Sequence, residues 1–246
     1  MITLTGKKVS EGIAIGKLSF YKRDTKENRR IYVKDVEKEV MRFQKARQKA
    51  ILELKILYDT AAKEVGEANA AIFEMQQAIL EDRDFIDQIT NIIATQKLNA
   101  EYAVQSVAEG FISDAVAKEK DYVQGHDADV KDVANRVLRI LSRGWKDKML
   151  TDEPFVLAAG ELYPSEAVQL DKTKVLGFAT RYGTINSHTA VLARTKGIPS
   201  VIGLGEALKK DYEGKMIIVD GFEGKVYIEP DYTTITRMKQ KQDEKH

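Results

Sequence analysis

Residues 183–203 read GTINSHTAVLARTKGIPSVIG, and the reading of this run decides the fold of the carboxyl-terminal half of the chain. It follows KVLGFAT (174–180), an apolar run of strand length, and its last four residues, SVIG (200–203), make another. Between them Gly183 supplies a tight turn, and Asn186 and Ser187 are both favourable N-cap residues. Ala190, Val191, Leu192 and Ala193 then form an apolar helical run. Gly197 and Pro199 end it, a glycine past the last turn and a residue that cannot continue a helix. A strand, a short helix and a strand in succession imply an α/β layer.

His188, one of three histidines in 246 residues, falls in the first turn of that helix, beyond the carboxyl end of a strand. The positive, amide-rich end of a helix disfavours imidazolium, so the ring stays neutral and nucleophilic. The same amides stabilise a phosphate once it is attached, with Thr184, Asn186, Ser187 and Thr189 as further donors. A neutral imidazole in line with phosphorus needs positioning and charge stabilisation more than covalent help. The competing reading is a histidine that only hydrogen-bonds locally, and position alone leaves that open. Neither an orienting acid nor a nucleophile elbow is evident, which argues against a Ser-His-Asp hydrolase. His126 and His246 give no ligand spacing, so no metal site is expected.

Around this run, FVLAA (155–159), KMIIVDG (215–221) and KVYIEP (225–230) also read as strands, with short helical stretches near 165–170, 188–196 and 205–210. The segment 1–20, with GIAIGKLSFY, reads as strand and joins the same sheet; GIAIG lacks the full glycine spacing and the downstream acid of a dinucleotide-binding turn. From 34 to about 143 there is no proline and the texture is helical. Val36, Val40, Phe43, Ile51, Leu54 and Tyr58 mark one face of a long helix that Gly66 breaks. A second helical pattern carries Ile72, Phe73, Ile79 and Leu80. Asn99 is placed to cap a third, bearing Ala103, Val104, Val107 and Phe111, and a fourth runs from about 129 to Gly144. The expected architecture is an α/β domain from 1–20 and 144–230 with a four-helix subdomain, 34–143, inserted into it, α+β overall. The crossings fall near 21–33 and 144–153, and 231–246 reads as the helical start of a connection to a further domain.

Composition narrows the function. With no cysteine, disulfide and thiolate chemistry are excluded; this suits a cytoplasmic protein, as does a start without the order of a signal peptide. No apolar run is long enough to span a bilayer, and a net charge of +1 argues against nucleic acid as the main partner. The charge is uneven: residues 34–143 hold 16 Lys+Arg against 20 Asp+Glu. EVGEANAAIFEMQQAILEDRDFID (64–87) concentrates seven acids against one Arg83. Such a run is commonly a solvated helix face, but with apolar residues beside it the same face suits a basic protein partner.

The run GTINSHTAVLARTKGIPSVIG closely resembles the phosphohistidine signature of enzyme I of the phosphoenolpyruvate-dependent sugar phosphotransferase system, also found in the swivelling domain of pyruvate phosphate dikinase and phosphoenolpyruvate synthase. Gly183, Ser187, His188, Ala193, Arg194, Ile198, Pro199, Val201 and Gly203 match the pattern. SEGIAIGK (10–17), AIFEMQQAILED (71–82), HDADVKDVANRVL (126–138) and VDGFEGKVYIEPD (219–231) are similar to other parts of enzyme I, so the resemblance covers nearly the whole chain. It implies a phosphohistidine α/β domain with an inserted HPr-binding helical subdomain, in the amino-terminal half of a phosphoenolpyruvate-protein phosphotransferase.

By that resemblance His188 accepts the phosphoryl group, on Nε2, and passes it to a histidine of the phosphocarrier HPr; Gly183, Thr184, Asn186, Ser187, Thr189 and Arg194 support it. Ile72, Phe73, Met75, Ile79 and Leu80 are candidate apolar contacts for HPr, although by helical spacing about half should point inward. Glu67, Glu74, Glu81 and Asp82 would face basic residues of the partner, and Gln76 and His126 stand where the family more often has histidine and arginine. Ala167 stands where a threonine commonly contacts the histidine, and Thr184 and Asn186 also depart from the pattern. The resemblance implies that binding of phosphoenolpyruvate and Mg2+, and dimerisation, belong to a carboxyl-terminal domain outside these residues. The chain alone is expected to be a monomer without cofactor that exchanges phosphate only with HPr. Two alternatives stay open: a divergent enzyme I paralogue with another phosphocarrier, and a non-catalytic docking module.

Overall fold

The computed structural model describes residues 1–21, 29–118, 126–142 and 153–245. The chain divides into two compact units, Met1–Arg23 with Asp147–His246, and Asp24–Lys146. The expected crossings at 21–33 and 144–153 fall largely outside the described residues.

The first unit is built on eight strands: β1 (Ile2–Thr5), β2 (Lys7–Ser10), β3 (Ile13–Phe20), β4 (Phe155–Ala159), β5 (Val175–Thr180), β6 (Ser200–Ile202), β7 (Met216–Asp220) and β8 (Lys225–Ile228). They form one mixed sheet in the order β1-β8-β7-β3-β4-β5-β6-β2. The run β3-β4-β5-β6 is parallel and the remaining pairings are antiparallel. Every residue of β4 is buried, as expected of a central strand covered on both faces. β1 and β2 lie at opposite edges of the sheet yet are separated by Gly6 alone, so the sheet curls until its two edges nearly meet. That closure requires glycine: a Cβ at Gly6 would stand 2.5 Å from the carbonyl oxygen of Ile202.

One face of the curled sheet packs Leu18, Val156, Ala158, Ala179, Val201, Ile217 and Val226 into a core. On another, Ile13, Ile218 and Tyr227 meet Met238 of α8 (Tyr232–Lys245). The segment from 231 is therefore a helix packed on this unit. Lys241 anchors it, 2.7 Å from the wholly buried carboxylate of Asp220, which also accepts the N–H groups of Phe222 and Glu223. α6 (Pro164–Val168) and α7 (His188–Lys196) connect the parallel strands, and the helical stretch expected near 205–210 is two short 3-10 turns.

The second unit holds five helices among its described residues, where the sequence reading separated four: α1 (Val36–Val65), α2 (Glu67–Glu81), α3 (Arg83–Gln96), α4 (Ala100–Lys118) and α5 (His126–Leu141). The additional one is α3, which buries Phe85, Ile89 and Ile93 at a spacing of one helical turn. A single residue parts it from α2. That residue, Asp82, is extended, and its carboxylate accepts the Phe85 N–H at 2.9 Å. α1 and α2 fold back on each other at Gly66, whose φ of 86° suits glycine, and Arg47 of α1 donates to the carbonyl of Leu80 at 2.9 Å. Asn99 does precede α4, but its side chain accepts the N–H of Ile31, while the Ala100 N–H goes to Glu39. Arg42 joins Glu39 and Glu101 at 2.6 and 2.5 Å. The Glu101 hydrogen bond, together with Glu39, holds the Arg42 guanidinium above its ordinary pKa.

Candidate functional site

β5 ends at Thr180, whose hydroxyl donates to the carbonyl of Tyr182 at 2.7 Å and bends the chain out of the sheet. Gly183 continues the turn with φ 124°, a conformation side-chain-bearing residues rarely adopt. Ser187 then caps α7: its hydroxyl accepts the Ala190 N–H at 3.2 Å and donates to the carbonyl of Thr184 at 2.9 Å. His188 is thereby the first residue of a nine-residue helix and is half-buried, neither sealed in the core nor fully in solvent. The first turn of α7 carries no acidic side chain. An anion bound there meets the helix dipole and amides without a nearby carboxylate of that turn opposing it.

The other residues expected to assist take different places. Thr189 is buried, and its hydroxyl points inward to the carbonyl of Leu162 at 2.8 Å, so it is not a phosphate donor as it stands. Ser187 is likewise committed to its cap. Arg194 is exposed, and its Nη1 reaches back to the carbonyl of Ile185 at 2.9 Å, holding the loop ahead of His188. Asn186 is exposed and Thr184 half-buried, which leaves these two side chains as the polar groups of the loop nearest solvent. Ala167 lies buried in α6 and offers only a methyl group.

Sequence reasoning missed several groups at this site. Tyr182 donates to Glu206 at 2.7 Å while its ring stays 54% exposed, and Arg181 spans Glu206 and the carbonyl of Leu208. The hydrogen bond to Glu206 raises the Tyr182 pKa above the ordinary phenol value. Lys196, the last residue of α7, is buried and donates to the carbonyl of Val168. Its spacing of seven from Thr189, on the face of α7 that holds Leu192, was the available signal.

On α2, Glu67, Glu74, Met75 and Glu81 are exposed and Ile79 is half-buried, and Asp82, just past its end, is exposed as well. Ile72, Phe73, Gln76 and Leu80 are instead core residues, each 3% exposed or less, and therefore present no free surface. Gln76 donates to Asp132 of α5 at 3.1 Å. Asp82 spends part of its carboxylate on capping α3. The His126 side chain lies outside the described residues. The Glu74 carboxylate, then burial and the Glu67 carboxylate, raise the pKa of Tyr58 of α1 above the ordinary phenol value. Among the described residues no group of three or more His, Asp or Glu could hold a metal ion, and no helix is long and apolar enough to cross a membrane.

Residues 5–125 match the family model described as PEP-utilising enzyme, N-terminal, and residues 151–224 that described as PEP-utilising enzyme, mobile domain. Phosphoenolpyruvate-protein phosphotransferases of Bacillus sp. (strain S) and Geobacillus stearothermophilus are each 36% identical over 242 residues, 97% of this chain. The chain spans 42% of the length of both relatives. A solution structure of an Enzyme I protein (nEIt) is similar throughout, with 34% identity, a TM-score of 0.74 and coverage of 98% of both chains. The N-terminal domain of an Enzyme 1 described as Nitrogen shares the fold, with a TM-score of 0.61 at 23% identity, over 96% of this chain and 98% of that one.

Proposed function

The chain belongs to the enzyme I family of phosphoenolpyruvate-protein phosphotransferases, as the amino-terminal part of such a protein, and from that premise we propose that His188 is its phosphoryl carrier. In the full-length protein the group comes from phosphoenolpyruvate held by the remainder of the chain, where Mg2+ also binds, and leaves to a histidine of HPr. The observation that carries this reading is the half-buried imidazole at the opening of α7, with an uncharged first turn around it.

In the first step the Nε2 lone pair of the neutral ring attacks phosphorus in line with the enol oxygen. The N–P bond forms as the P–O bond breaks, and the enolate departs, taking up a proton from water at C3 to become pyruvate. In the second step the acceptor imidazole attacks the same phosphorus and the His188 ring leaves as a neutral base. The protein's part is positional and electrostatic: Ser187 sets the helix start, Arg194 steadies the loop, and the first-turn amides face the transferred oxygens. The α2 face supplies the docking surface, Met75 and Ile79 as apolar contacts and Glu67, Glu74, Glu81 and Asp82 as counter-charges for a basic carrier.

The test mixes the chain with radiolabelled phospho-HPr, or separately with phosphoenolpyruvate and Mg2+. Label should enter from phospho-HPr, fail to enter from phosphoenolpyruvate, and vanish in His188→Ala. Labelling of His188→Ala at the normal level would refute the assignment.

A further inference from the structure

We infer that Lys196 and Thr189 clamp α7 onto α6 and so fix where the His188 ring stands, which makes Lys196 a positioning residue; its role in transfer rests on the phosphocarrier reading above. Both side chains are nearly sealed from solvent, at 8% and 7% exposed. The Lys196 ammonium donates to the carbonyl of Val168 at 2.5 Å, and the Thr189 hydroxyl to that of Leu162 at 2.8 Å. Val168 is the last residue of α6 and Leu162 lies just before its start, so the two ties grip both ends of one neighbouring element.

The carbonyl end of α6 explains the ammonium. Glu166 and Ala167 carbonyls are taken by the N–H groups of Gln169 and Leu170 in tight turns, and Lys196 serves the Val168 carbonyl. A cation at a helix carboxyl end is favourable. Burying an ammonium is nonetheless expensive, and a leucine or methionine would fill the same space without that cost. What the ammonium adds is direction. Sliding or rolling α7 on α6 breaks the buried bond of the ammonium to the Val168 carbonyl, and at the other end that of the Thr189 hydroxyl to Leu162. The ties sit seven residues apart on one face, roughly 10 Å along the helix, and His188 adjoins the first of them. Displacements of about 1 Å at a transfer site cost up to about a hundredfold in rate, so such a clamp bears on chemistry as well as stability.

The ring 15N and 1H resonances of His188 in the unphosphorylated chain report its placement without any phosphate. They are compared in wild type, Lys196→Met, Thr189→Val and Thr189→Ser, together with thermal unfolding and transfer kinetics from phospho-HPr. In both Lys196→Met and Thr189→Val the ring signals should move while amide signals of β4 and β7 hold. The kcat for transfer should fall about tenfold with KM within about twofold. Thr189→Ser, which keeps the hydroxyl, should behave as wild type. Lower thermal stability with unmoved ring signals and unchanged kcat would reduce the clamp to a stability device and overturn the inference. Should Lys196→Met fail to fold, unmoved signals in Thr189→Val overturn it equally. A wild-type chain that accepts no phosphate sinks the carrier reading instead, and that result is separate from the ring signals.

Discussion

At Ser187 a single hydroxyl both accepts from Ala190 and donates to Thr184, joining the loop to the helix that begins with His188. Ser187→Ala should cost about 1 kcal/mol in urea unfolding, as N-cap losses do, and slow phosphate uptake because the first-turn amides lose their fixed direction. Unchanged uptake in a stable Ser187→Ala chain would remove the cap from the mechanism. The position of His188 was legible in sequence because every determinant is local: a glycine turn, a cap, an apolar run and a stop. Thr189 and Arg194 were not, since their partners are carbonyls chosen by the fold. A hydroxyl beside the histidine looks the same in sequence whether it faces phosphate or, as here, the Leu162 carbonyl.

At the scale of elements, the strands β4 to β8 were legible because buried strands read as short apolar runs between turn residues. α3 was not separated from α2, for Asp82 breaks the helix with one extended residue and no glycine or proline. Asp82→Ala should destabilise the helical unit by about 1 kcal/mol, measured by urea unfolding, in addition to any loss of partner affinity. A loss of affinity without any loss of stability would contradict the cap. The α2 sequence AIFEMQQAIL is apolar around most of its circumference, so periodicity could not tell which stripe the core takes. The structure assigns it to Ile72, Phe73, Gln76 and Leu80. Glu101 supplies a pH test. Burial, the largest single influence, opposes its ionisation, but the hydrogen bond and charge of Arg42, a backbone hydrogen bond and the Asn99 amide together outweigh it, so its pKa lies below the ordinary 4.5. A carboxylate so lowered contributes stability that is complete above its unfolded value and is lost as pH falls through the folded one. The acid limb of the unfolding curve, below about pH 4.5, should therefore flatten in Glu101→Gln. Parallel limbs in the two proteins would contradict this.

For the molecule as a whole, the acidic face of α2 and the histidine of α7 are parts of one proposed task, recruiting a basic carrier and trading phosphate with it. Glu74→Lys should weaken capture of phospho-HPr roughly tenfold at low salt and less at high salt, leaving the phosphate-bearing capacity of His188 intact. Equal binding at both salt concentrations would locate the docking surface elsewhere. The most direct test of the central claim is to find the phosphate itself. After incubation with phospho-HPr, 31P and 15N NMR of the purified chain should show one phosphoramidate, bonded to the Nε2 atom of His188. A phosphate bonded to any other residue, or a chain that stays unphosphorylated beside an active carrier, would contradict the account.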